Sequence, residues 1–259
     1  MNPVMDRVLL LVSTLLALIG AVMGVISVQR GRRSRWTTSW MLGVLLFQFG
    51  FLSLRGEQRG ACPLADHGEI LVFLSWSLTL FYLIIGPAYR ISLLGVFTAP
   101  VVAIFQIVAL VPGVMSDQPE RLSTVNAWHE THAATSVLAY GALALASVAG
   151  VMFLVLDKQL KSQHFTSGWF RNLPPVRELL VSLRRLLWTG GFLLTLGVIA
   201  GWLMPHGPNA AAHWIAALML WIAYLCLLGV MSLRGLTGRA LSLATVSLFL
   251  LSLAVFAWI

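Results

Sequence analysis

The chain has 259 residues, 59% of them hydrophobic and only 10% charged. An ordinary soluble domain carries about 25% charged residues, so the composition excludes one and leaves a polytopic membrane protein. The formal charge of +8 would suit nucleic acid in a soluble protein, but here the basic residues sit in short loops between apolar runs, so topology accounts for them and no nucleic-acid partner is implied.

In chain order, apolar runs predict about eight transmembrane helices at 8–28, 37–54, 69–85, 92–111, 133–156, 186–203, 211–231 and 240–258. Each is near the ~20 residues that a spanning helix needs. Lipid admits only helices or a closed barrel, and no period-2 pattern is present, so the expected fold is an all-α membrane bundle forming a single transmembrane domain over 1–259. The first run is longer than a signal-peptide core and leads into RGRRSR, which predicts a retained helix. Gly20 with Gly24, Ala146 with Gly150, and Gly197 with Gly201 have the four-residue spacing that lets membrane helices approach closely, and they read as packing positions. Before the sixth run, Pro174 and Pro175 precede VRELLVSLRRLL, whose apolar face predicts a short interfacial helix.

Thirteen of the 17 Lys and Arg fall in loops on one side of these spans; the other four are Arg7, Arg55, Arg59 and Arg121. The richer side is expected to be cytoplasmic, with both termini outside. Five of the six histidines then lie toward the outer side: His67, His129, His132, His206 and His213; only His164 is inside.

His129 and His132 are three apart, and on a helix they share a face. His132 opens the fifth span and His213 the seventh, while His206 lies in MPHGP, where proline and glycine prevent regular helix. Neutral imidazole suits a metal or haem iron, and two imidazoles from different helices can fill both axial positions of a haem. Trp128, Trp202 and Trp214 are placed to wall a porphyrin, or to form an interfacial aromatic belt. Arg55, Arg59 and Arg121 are the outer cations available to propionates. The competing reading is a divalent metal held by Asp66, His67, Glu69, His129 and Glu130, whose spacing matches no strong motif. Rim histidines in a structural or regulatory subunit without haem, or a small-solute or metal transporter, are the remaining alternatives. Few polar residues lie inside spans (Gln48, Gln106 and Tyr140 among them), and Glu69 is the one acid expected to enter the membrane.

Three segments carry a family resemblance: GACPLADHGEILVFLSWSLTLFYLIIG, HAATSVLAYGALALASVAGVMFLVLDKQLK and LRRLLWTGGFLLTLGVIAGWLM. In order and spacing they resemble the CcsA/ResC-type cytochrome c assembly proteins. The first has a Cys-Pro, a Glu and an apolar run with Trp; the second is a histidine-led helix with a basic exit. Where that family has a tryptophan-rich outer segment with a Trp-Asp pair, this chain has MPHGPNAAAHW, which is closer to the shorter HemX/YpjD-like relatives. The resemblance implies a haem-handling role in cytochrome c biogenesis in a bacterial inner membrane. It implies His132 as the outer-face haem ligand, Glu69 and Cys62-Pro63 as family positions, and as partners an apocytochrome c and a membrane protein with a large outer domain.

Overall fold

The computed structural model describes residues 3–29, 36–88, 92–116, 119–121, 125–162, 176–205 and 211–258. They form eight helices: α1 Pro3–Gln29, α2 Trp36–Arg59, α3 His67–Ala88, α4 Ser92–Ala109, α5 Ala127–Ser162, α6 Val176–Leu203, α7 Ala211–Leu233 and α8 Gly238–Trp258. The protein is all-α and polytopic, and seven of the helices are long and apolar enough to cross a membrane. The expected fourth span is the exception: α4 is apolar but shorter, and it contains Pro100.

The segment expected to form a short interfacial helix leading into the sixth span is continuous with that span as α6. Nothing between Val176 and Leu203 breaks a helix, and Leu179, Leu183, Leu186 and Leu187 are all buried, so one amphipathic stripe runs on into the apolar part.

The helices form two compact units, α1–α4 and α5–α8. In the first, α1 packs on α2 and α4, and α3 packs on the same two helices, closing a four-helix ring. Leu10, Phe51, Leu52, Val72, Ala109 and Met115 form an apolar cluster in it. Each helix end is tied down locally. Gly60, at φ +69°, ends α2, and the N–H groups of Gly60 and Ala61 both return to the Gly56 carbonyl at 2.8 and 3.3 Å. This is the left-handed C-terminal cap that glycine permits. A side chain at Gly68 would meet Met115 Cβ at 2.5 Å, so the loop after α4 lies directly on the start of α3, where Gly68 N–H bonds to the Val114 carbonyl.

The second unit is assembled on glycines. A Cβ at Gly190 would lie 2.7 Å from the Leu143 side chain, one at Gly150 would lie 3.3 Å from the Ser242 carbonyl, and one at Gly238 would lie 2.5 Å from Phe153. These close approaches dock α6 and α8 on α5. The four-residue pairs read from the sequence are therefore packing sites, Gly20 and Gly24 included, which face Trp40 and Val96.

Candidate functional site

Helix α5 begins early enough to carry both histidines. Asn126 accepts the Trp128 N–H on its side-chain Oδ1 at 2.9 Å and the Glu130 N–H on its carbonyl at 3.1 Å, as a helix-capping residue does. His129 and Trp128 are exposed in this first turn, whereas His132 is half-buried.

His132 Nδ1 is 2.7 Å from the carbonyl oxygen of Gly197 on α6. A carbonyl can only accept, so Nδ1 carries the proton and, in the neutral ring, Nε2 keeps its lone pair. The seat is shaped by glycine. A Cβ at Gly201 would lie 2.7 Å from His132 Nδ1, and one at Gly197 would lie 2.7 Å from Ser136 Oγ. The same Gly201 position is 3.4 Å from the Trp214 ring, so the imidazole and this tryptophan flank one glycine.

Trp214 is also one wall of an open cavity of about 680 Å³ between α6 and α7, lined by Thr195, Val198, Ile199, Trp202, Trp214, Leu218 and Trp221. That volume lies within the ~300–1,000 Å³ usual for ligand pockets. Its wall is fixed by the Trp221 indole N–H, which donates to Thr195 Oγ1 at 3.0 Å. The structure thus brings His132, Trp214 and Trp202 to one region. His213 stands in the first turn of α7, with its side chain outside the described residues. His206 and His164 lie wholly outside them.

The first unit holds a different arrangement. Arg55 is fully buried. Its Nε is 2.9 Å from Asp6 Oδ2, Nη1 is 3.7 Å from Glu69 Oε1, and Nη2 donates to the Ser116 carbonyl at 2.8 Å. Arg59 donates to Glu69 Oε1 at 2.8 Å and to Asp66 Oδ2 at 2.9 Å. Asp66 Oδ2 also accepts the Ser116 N–H at 3.0 Å, and Glu69 Oε2 accepts the Ala65 N–H at 3.2 Å. Burying charge is tolerable only when it is compensated: Arg59 is paired and hydrogen-bonded, whereas Arg55 Nε and Nη1 meet their carboxylates as ion pairs without a hydrogen bond and only Nη2 makes one. One cluster thus clasps α1, α2, α3 and the loop after α4.

Two sequence expectations change here. Arg55 and Arg59 are not available to propionates, because carboxylates of this unit neutralise them. Nor is the Asp66–Glu69 segment a divalent-metal site: both carboxylates answer arginines, His67 is exposed, and no group of three or more His, Cys, Asp or Glu able to hold a metal occurs among the described residues. Asp6 belongs to the same cluster. It precedes the first apolar run and reads as a solvated end residue, yet it is 1% exposed. The available signal was the pair Arg55 and Arg59 at the end of an apolar helix, which demands buried acids. The role of Gly197 and Gly201 as the seat of an imidazole was missed for the opposite reason, since close packing alone accounts for their spacing.

The protein is therefore a polytopic helical membrane protein with an oriented histidine beside a tryptophan-lined cavity in one unit and a buried ionic clasp in the other. Residues 64–258 match the family described as Cytochrome C assembly protein; the chain belongs to that family. It is similar to the cytochrome c biogenesis protein CcsA of Crocosphaera subtropica, 30% identical over 128 residues that cover 47% of this chain and 38% of the relative. The CcsA protein of Synechococcus sp. (strain CC9902) is 28% identical over 225 residues, 75% of this chain and 73% of the relative. That of Thermosynechococcus vestitus is 27% identical over 236 residues, 73% of each. The Crocosphaera match, like one to Trichormus variabilis at 36%, spans well under two thirds of the relative's length.

Proposed function

We propose that this protein serves cytochrome c biogenesis by binding haem non-covalently, as a b-type haem, at the outer face of a bacterial inner membrane. His132 would be one ligand to the haem iron and the His206–His213 segment would provide the other, with His213 preferred because it stands in the first turn of α7 whereas His206 lies in the sequence MPHGP. The observation that carries the reading is the His132–Gly197 hydrogen bond, because an imidazole held by Nδ1–H to a backbone carbonyl is prepared to bind iron through Nε2. The cavity with Trp202 and Trp214 supplies an apolar wall for a porphyrin. His129 and Trp128, exposed in the first turn of α5, border the approach, and Glu69 acts through the clasp of its own unit.

In this reading both termini lie outside, and the HemX/YpjD-like sequence of the 204–214 segment accompanies a protein that holds haem for transfer. An apocytochrome c and a membrane partner with a large outer domain complete the system. The test is the visible absorption spectrum of the full chain purified in detergent and supplied with haem. The expected result is a six-coordinate, low-spin spectrum in the wild type and loss of haem, or a five-coordinate spectrum, in His132→Ala. Unchanged spectrum and haem content in His132→Ala would overturn it.

A further inference from the structure

The end of the second unit remote from His132 carries another cavity, of about 490 Å³, lined by Leu154, Asp157, Lys158 and Lys161 of α5 and by Arg239 and Leu243 of α8. At 1.5 Å per helical residue, Lys158 is roughly 39 Å along α5 from His132, so this cavity is distinct from the candidate haem site.

Lys161 is taken up by Asp157, Nζ to Oδ2 at 2.8 Å. Lys158 and Arg239 make no ion pair among the described residues, and two uncompensated cations face one space. The start of α8 adds to the positive field. Thr237 Oγ1 accepts the Ala240 N–H at 3.3 Å, so the helix is capped beside the cavity, with the positive end of its dipole there. The approach is made possible by Gly238, where a Cβ would lie 2.5 Å from Phe153 and 2.9 Å from Leu180. Without a side chain at that position, Arg239 is carried close to α5.

Below the charges the lining is apolar, and the register repeats on both helices. Leu154 is one turn from Lys158 on α5, and Leu243 is one turn from Arg239 on α8, each on the same face as its cation. A pair of cations above a pair of leucines matches an amphiphile with an anionic head rather than a free anion, and basic pockets between membrane helices are a recurrent way to hold acidic headgroups.

We propose that this cavity binds an anionic phospholipid, with its phosphate between Lys158 and Arg239 and its acyl chain along Leu154 and Leu243. The full chain in non-ionic detergent is titrated with dioleoylphosphatidylglycerol, with dioleoylphosphatidylcholine and with inorganic phosphate, and bound lipid is read by intact-complex mass spectrometry. The wild type should retain phosphatidylglycerol in preference to phosphatidylcholine, and phosphate should not displace it. Lys158→Gln and Arg239→Gln should each weaken retention about fivefold, as expected for one interfacial cation, and the double variant should lose it. Lys158→Arg should keep it, and so should Arg234→Gln, which alters an exposed cation outside the cavity. Because Lys158 and Arg239 are exposed, the variants should melt at the wild-type temperature without lipid. Equal retention by wild type and double variant, equal binding of phosphatidylcholine, or displacement by phosphate alone would each overturn the proposal.

Discussion

His132 and Gly197 are joined by a 2.7 Å hydrogen bond from the imidazole Nδ1 to the backbone carbonyl, and the imidazole has room to make it because α6 has no side chain at Gly201. The orientation of the candidate ligand is thus set by the absence of atoms on a neighbouring helix.

It follows that Gly201→Ala should act like a ligand mutation without touching a ligand. The added methyl would meet His132 Nδ1 at 2.7 Å and Cε1 at 3.1 Å, so the ring must turn away and give up its bond to Gly197. Haem content after reconstitution should fall toward that of His132→Ala. Gly20→Ala, whose methyl would meet Trp40 Cβ at an ordinary 3.4 Å, should leave it unchanged. Full haem binding by Gly201→Ala would show that the seat is irrelevant.

The second axial position distinguishes the remaining histidines. His213→Ala should give a five-coordinate spectrum that added imidazole returns toward the wild-type form. His129→Ala and His164→Ala should both keep the wild-type spectrum. If imidazole has no effect on His213→Ala while His206→Ala becomes five-coordinate, the ligand is the loop histidine.

The ionic clasp should matter for stability rather than for haem. Removing one member of a buried pair leaves the partner's charge uncompensated, at a cost of ~3–5 kcal/mol. Asp6→Ala and Glu69→Ala should therefore each lower unfolding stability in detergent by about that amount. Arg55→Lys should lower it as well, although it keeps the charge, because a point-charge ammonium cannot address Asp6, Glu69 and the Ser116 carbonyl together. A double-mutant cycle between Asp6 and Arg55 with negligible coupling would contradict the 2.9 Å contact.

A polar layer deeper in the same unit should behave differently. Gln48 donates to Ser75 Oγ at 2.6 Å and Gln106 to Ser13 Oγ at 2.8 Å, but the Oε1 atoms of both glutamines are buried without a hydrogen-bond partner. Replacing both members of a pair by apolar residues can be close to neutral, whereas orphaning one is not. Gln48→Leu with Ser75→Ala should thus be tolerated better than Ser75→Ala alone, as judged by thermal unfolding.

Topology offers an independent check on the proposed orientation. Reporter fusions at Ser162 and Asn209 should report the cytoplasm and the exterior respectively, as the unequal loop distribution of Lys and Arg requires. The reverse pattern would move the candidate haem site to the other face.

Much of the architecture was legible because lipid makes helix the default for an apolar run. Helix existence followed from composition, and every expected span corresponds to one helix. Helix ends were less legible. The α5 start depended on Asn126 acting as a cap, and the α6 start on an apolar stripe continuing through Arg184 and Arg185. The site was legible only as residue types. His132 could be singled out at the head of a span, but its tautomer depends on a carbonyl 65 residues away. The pairing of Arg55 with Asp6 and Glu69 likewise spans three helices, and local periodicity carries no record of such meetings.

Helix α5 has 36 residues, and the stretch from His132 to Asp157 alone would extend roughly 38 Å along its axis. A hydrocarbon core is only ~30 Å thick. Held upright with Asp157 at one boundary, the helix would lift the imidazole among the headgroups; inclined within the ~0–40° seen for membrane helices, it would draw the ring back toward the acyl chains. Bilayer thickness therefore becomes a control on the depth of His132, and lipids of different chain length would tune how wet that nitrogen is.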